Sequence, residues 1–167
     1  MADNRAKRIL TLLAVLAVAA MIFFFSSQKG EDSSKVSGEL TEAILSAFAP
    51  DYARLSEAAR EALLKRWEGV VRKAAHFSEF ALLAFALTFH LRYRMASGKL
   101  SAIGLTALAI AVAYAGTDEL HQRFVSDRMG APLDVLIDAA GALAGMLAAA
   151  LCLRHCARRP RRSARAR

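Results

Sequence analysis

The sequence predicts an all-α membrane protein: a bundle of four transmembrane helices with an amphipathic helical first extracytoplasmic loop. Three observations carry that expectation. The chain is 56% hydrophobic over 167 residues, and its apolar residues are gathered into four runs, the mark of membrane spans. At a helical rise of about 1.5 Å per residue, each run is long enough for a hydrocarbon core of about 30 Å. Lysines and arginines gather in alternate flanks of the runs, as they do in a chain threaded repeatedly through a bilayer.

The first span, about 9–25, carries no charge and follows the basic cluster Arg5, Lys7 and Arg8. Such a start resembles a signal peptide, but the run ends FFFSSQ with no small-residue cleavage site, so an uncleaved span is expected. The second span, about 74–91, is broken only by His76, Glu79 and His90, and the third, about 100–117, is uncharged. The fourth, about 133–153, carries Asp134 and Asp138 near its start.

Between the first two spans, residues 26–72 are expected to be helical. Val36, Leu40, Ile44 and Phe48 recur every four residues until Pro50, and Asp51 is a plausible N-cap for a second loop helix. There Leu55, Ala59, Leu63, Trp67 and Val71 form an apolar stripe, with Glu57, Arg60, Glu61, Lys65 and Arg66 largely on the other side. This helix is expected to lie on the outer membrane surface with Trp67 at the headgroups, or else to cap the bundle.

The net charge of +8 is almost all in the tail 154–167, whose seven arginines face no acid. Beside an apolar run, such a tail is read as a topology-fixing flank that touches anionic lipid, and nucleic acid is not an expected partner. With Arg5 to Arg8, Arg92 to Lys99 and the tail on one side, both termini are expected in the cytoplasm, and the whole chain is expected to form one multi-pass membrane domain. Cys152 and Cys156, four apart, suit neither a disulfide framework nor, with His155, a zinc site.

Apart from His90, His155 and the cytoplasmic flanks, this threading gathers the ionisable residues inside or bordering the four spans at one depth, on the outer side. Ser26, Ser27 and Gln28 end the first span. Lys73, His76 and Glu79 start the second, Asp118, Glu119 and Gln122 follow the third, and Arg128, Asp134 and Asp138 flank the start of the fourth. His76 and Glu79 are three apart, and Asp118 and Gln122 four apart, so each pair shares a helical face if the helices extend that far. Asp134, Asp138, Gly141 and Gly145 form one stripe, whose glycines would let another helix approach closely and so turn the acids inward. Ionisable groups at membrane depth are costly, usually paired and usually functional.

At these residues the sequence resembles the VanZ-like family of bacterial membrane proteins. The resemblance rests on FFFSSQ, on RKAAHFSEFALLAFAL and on DELHQRFVSDRMGAPLDVLIDAAGALAG, which together cover most of the chain. The family's lysine and His-Phe, its Asp-Glu-x-x-Gln-x-Phe, its arginine and its later acid with glycines fall on Lys73, His76, Phe77, Asp118, Glu119, Gln122, Phe124, Arg128, Asp134, Gly141 and Gly145. Asp138 stands where members often carry asparagine, and Phe80 where they often carry tyrosine. The resemblance implies an integral membrane protein linked to the cell envelope and to the response to glycopeptides such as teicoplanin.

Three function classes follow. A binding protein would hold a polar lipid, or a lipid-linked cell-wall or teichoic acid precursor, at the outer leaflet, with Lys73 and Arg128 on phosphate and the acids orienting them. An enzyme acting on such a lipid would draw its catalytic residues from His76, Glu79, Asp118 and Glu119, with His76 as general acid or base. The same acids with His76 could instead hold a divalent metal, but no HExxH-type motif is present, and no metal or cofactor is expected. A scaffold would use the polar cluster only to join helices. No nucleophile stands out.

Overall fold

The computed structural model describes residues 2–28, 30–95, 97–124 and 132–158. Five helices and no strand form among them: α1 (Ala2–Ser26), α2 (Gly30–Phe48), α3 (Glu57–Arg94), α4 (Leu100–Gln122) and α5 (Pro132–Arg158). Of these, α1, α3, α4 and α5 are long and apolar enough to cross a membrane, as expected.

The loop differs from expectation. Asp51 caps only a single 3-10 turn at Tyr52–Arg54, without a side-chain hydrogen bond. The N-cap of the next helix is Ser56, whose hydroxyl accepts from the Ala59 amide. The separate second loop helix does not exist; it is the first part of α3, which runs 38 residues without a break into the second span. No proline lies between Glu57 and Arg94, so nothing removes an i→i−4 bond or forces a bend. At about 57 Å, α3 is nearly twice the thickness of a hydrocarbon core.

The apolar stripe of α2 is also not its packing face. Val36, Leu40, Ile44 and Phe48 are exposed, while Ser37 and Thr41 are buried. Arg72 of α3 explains the choice. It donates to Ser34 Oγ at 3.0 Å and to Ser37 Oγ at 3.4 Å, and pairs with Glu68 at 2.6 Å. A guanidinium needs acceptors, so the serine face turns toward α3 and the apolar stripe turns outward.

Within the bundle, small residues set the spacing. Ala107, Ala111 and Ala115 of α4, each four apart, are fully buried with Ile22, Phe80, Ala84 and Ala142. A Cβ on Gly141 would overlap the Phe77 carbonyl, and one on Gly145 the Ala81 carbonyl. Both helices advance four residues between these contacts, so α3 and α5 run parallel with touching backbones. This is the close approach expected of the glycine stripe, and it is how helices gain dispersion where lipid removes the hydrophobic drive. By contrast, α1 is antiparallel to α3, since Arg8 meets Tyr93 and Thr11 meets His90, and parallel to α4, since the Tyr114 hydroxyl donates to Ala19 O at 2.8 Å and, further along both helices, Ser26 meets Asp118 and Gln122. The outer faces, including Leu10, Leu16, Phe24, Leu105, Leu136 and Leu151, stay exposed, as lipid-facing positions should.

Candidate functional site

The third span does not stop at residue 117. Helix α4 continues through Asp118–Gln122, so these two side chains meet across one turn. Gln122 Nε2 donates to Asp118 Oδ2 at 2.9 Å and to Ser26 Oγ at 3.1 Å, and Ser26 Oγ donates to Asp118 Oδ2 at 2.7 Å. The three form a closed ring between α1 and α4 that uses both amide hydrogens and the serine proton. All three are buried: Ser26 is 1% exposed, Asp118 5% and Gln122 8%. One residue along each helix, Ser27 Oγ lies 3.3 Å from His121 Nε2, and the His121 ring stacks on Phe23 at 5.1 Å. Ser27 donates its single proton to Phe23 O at 2.7 Å, so the His121 nitrogen must be the donor to Ser27.

The remaining acids lie behind this ring. Glu119 is 5% exposed and Asp138 is 4% exposed. Asp138 has Asp118, Glu119, Asp134 and Glu79 within electrostatic reach, so carboxylates from α3, α4 and α5 converge. Arg123 is a cation within reach of Glu119. Glu119 Oε1 and Asp138 Oδ1 are buried and accept no hydrogen bond among the described residues. Buried acceptors without donors are expensive, so this place favours whatever brings N–H or O–H groups to it. Among the described residues, no group of three or more His, Cys, Asp or Glu side chains is arranged to hold a metal ion.

On α3, His76 Nδ1 lies 3.8 Å from Glu79 Oε2, one turn apart as their spacing predicts, and both are half-buried. They form one wall of an open cavity of about 220 Å³ between α1, α2 and α3. Phe25, Val36, Leu40 and Val71 line its apolar side, and Ser37, Arg72, His76 and Glu79 its polar side.

Most of the residues expected from the sequence are thus brought together: His76, Glu79, Asp118, Glu119, Gln122, Asp134 and Asp138. Lys73 is not. It is exposed and makes no hydrogen bond or ion pair among the described residues. It shares a helical face with the fully buried Phe80, but that face is covered only two turns deeper. Arg128 lies outside the described residues. His121 and Arg72 were missed. His121 is three residues from Asp118 and so shares its face, a signal that was present. Arg72 was hidden because its partners, Ser34 and Ser37, lie in a loop that carried no motif.

The family model described as VanZ/LLP1 matches residues 11–153, most of the chain. No curated protein and no solved structure matches it significantly.

Proposed function

The chain belongs to the VanZ/LLP1 family of membrane proteins, and from that premise we propose that it binds the polar headgroup of an envelope lipid or lipid-linked cell-wall precursor. The binding end is the one where α1, α3, α4 and α5 present their polar residues. The observation that carries this reading is the pair of buried carboxylate oxygens, Glu119 Oε1 and Asp138 Oδ1, that accept no hydrogen bond among the described residues. Carboxylates only accept, so the matching ligand is rich in hydroxyl or amino donors, as sugar and amino headgroups are. The cavity between α1, α2 and α3 supports the same reading, since an apolar wall faces a polar one as an amphiphile requires. Arg128, six residues beyond Gln122 in the sequence, is our proposed cation for a phosphate. The site faces the outer leaflet of a bacterial inner membrane and both termini lie in the cytoplasm, because the arginine-rich flanks stay inside.

Through the family, such binding connects to teicoplanin susceptibility. The test is to express the wild type, Glu119→Gln and Asp138→Asn in a glycopeptide-sensitive host. Membrane level and melting temperature are measured beside susceptibility. Variants that stay folded and lose the phenotype support a ligand site. Folded variants with full phenotype would show that these acids only join helices.

One observation favours a second reading, an enzyme acting on the same class of lipid. The 3.8 Å approach of Glu79 to His76 is the arrangement in which a carboxylate orients a general base beside a cavity. Turnover of a labelled lipid-linked precursor, lost in His76→Ala, separates catalysis from binding.

A further inference from the structure

The end of the bundle opposite the acids has its own built cavity. Arg5 and Arg8 of α1 and His90 and Arg94 of α3 line a space of about 840 Å³, together with Asn4, Ile9 and Leu12. That is within the range of about 300–1,000 Å³ usual for ligand sites. Among the described residues, no acidic side chain lines it.

Clustered arginines at a span end are by themselves only a topology signal. Here the geometry goes further. Arg8 Nε donates to the backbone carbonyl of Tyr93 at 2.8 Å, reaching from α1 to α3. That bond holds the guanidinium across the seam instead of leaving it to follow the water. Its terminal amino groups make no other hydrogen bond among the described residues, and this is the fork that binds phosphate oxygens in pairs. Arg5 lies three residues earlier on the same face of α1, and Arg94 faces it from α3. A turn deeper, Thr11 Oγ1 donates to Lys7 O at 2.8 Å and lies 3.2 Å from His90 Nδ1. The hydroxyl has one proton, so His90 donates through Nδ1 and its ring orientation is held.

The surroundings are apolar. Ile9 and Leu12 continue the cavity wall down α1, 51% and 43% exposed. On the other side of the α1–α3 seam, an apolar groove of about 420 Å³ runs from Lys7 and Tyr93 along Leu10, Ala14 and Val18 to Leu82, Phe85 and Phe89. From Lys7 to Val18 it covers about 16 Å, half of a hydrocarbon core and therefore the depth of one leaflet.

We propose that this end is a second binding site, specific for an anionic phospholipid of the phosphatidylglycerol type. Its phosphate sits between Arg5, Arg8 and Arg94 and its acyl chains lie along the α1–α3 seam. A free anion has no use for the apolar walls, and a zwitterionic lipid gains little from three arginines with no acid among the described lining residues. The site is separate from the acidic end and does not depend on what binds there. Its consequence is structural as well: α1 packs chiefly on α3, and the lipid joins the two helices.

The experiment uses the full chain in neutral detergent, with thermal unfolding and native mass spectrometry. Phosphatidylglycerol raises the melting temperature and stays bound, whereas phosphatidylcholine and millimolar inorganic phosphate do neither. Arg5→Gln with Arg94→Gln weakens phosphatidylglycerol binding roughly thirtyfold, and Arg66→Gln, near the far end of α3, leaves it unchanged. If the double variant fails to fold, the wild type is crosslinked with phosphatidylglycerol carrying a photoreactive headgroup, and adducts map to residues 4–12 and 90–94. Equal stabilisation by phosphatidylcholine, the same shift with phosphate alone, unweakened binding in the folded double variant, or adducts confined to other segments would overturn the proposal.

Discussion

Gly145→Ala adds one methyl group where α5 crosses α3, and the structure says what that group meets. It overlaps the Ala81 carbonyl oxygen, carbon and Cα. These are backbone atoms of a helix, so no side chain can swing aside and the two helices must separate. Forcing an extra methyl into a tight contact costs about 1–3 kcal/mol, which for a chain of this size lowers the melting temperature by roughly 2–12 °C. Gly141→Ala meets the Phe77 backbone in the same way. The double variant costs less than the sum, because helices already parted by one methyl leave room for the other. Gly69→Ala is the control: nothing lies within 4 Å of its added Cβ. Replacing a helical glycine there should be neutral or gain about 0.5–1 kcal/mol. Thermal unfolding in detergent measures all four. Melting of Gly145→Ala at or above the wild-type temperature would refute the close parallel crossing, and with it the argument that Asp138, on the same stripe, is turned into the bundle by packing.

Other outcomes follow from single bonds. Tyr114→Phe removes the hydroxyl that holds Ala19 O and should cost about 0.5–1.5 kcal/mol; unchanged melting would mean that α1 does not depend on that clasp. Asp118→Ala leaves the Ser26 and Gln122 donors buried without their acceptor, a loss of about 1–3 kcal/mol. Asp118→Asn keeps an acceptor oxygen and should melt closer to the wild type; equal losses would argue against the ring. Arg72→Met should free α2 from α3, read as faster hydrogen exchange over residues 33–41 with the spans unaffected. Cysteine labelling from outside should reach a probe at Asp127 and miss one at Ser97. The reverse pattern would invert the topology and move the acidic end to the cytoplasm.

Much of this was legible in the residues alone, because helical periodicity and apolar length are local properties. Four runs of sufficient length mean four spans, and the positions of Asp118, Glu79, Asp134 and Asp138 along them mean one polar end, whatever the packing. The four-residue spacings of Asp118 with Gln122 and of Gly141 with Gly145 needed only that the helices exist. Rotation and pairing of the helices were another matter. In a soluble helix the apolar stripe names the buried face, but in a membrane every face is apolar, so hydropathy does not say which side meets a neighbour. Only the tertiary structure decided that Gly141 and Gly145 meet α3, that Ser26 closes the ring on Asp118 and Gln122, and that Lys73 stands outside the cluster. The same holds for α2, where the serine face, not the apolar stripe, is buried by the acceptors Arg72 requires. It holds again for the basic cavity, since Arg94 is far along the chain from Arg5 and Arg8 and meets them only when α1 packs antiparallel against α3.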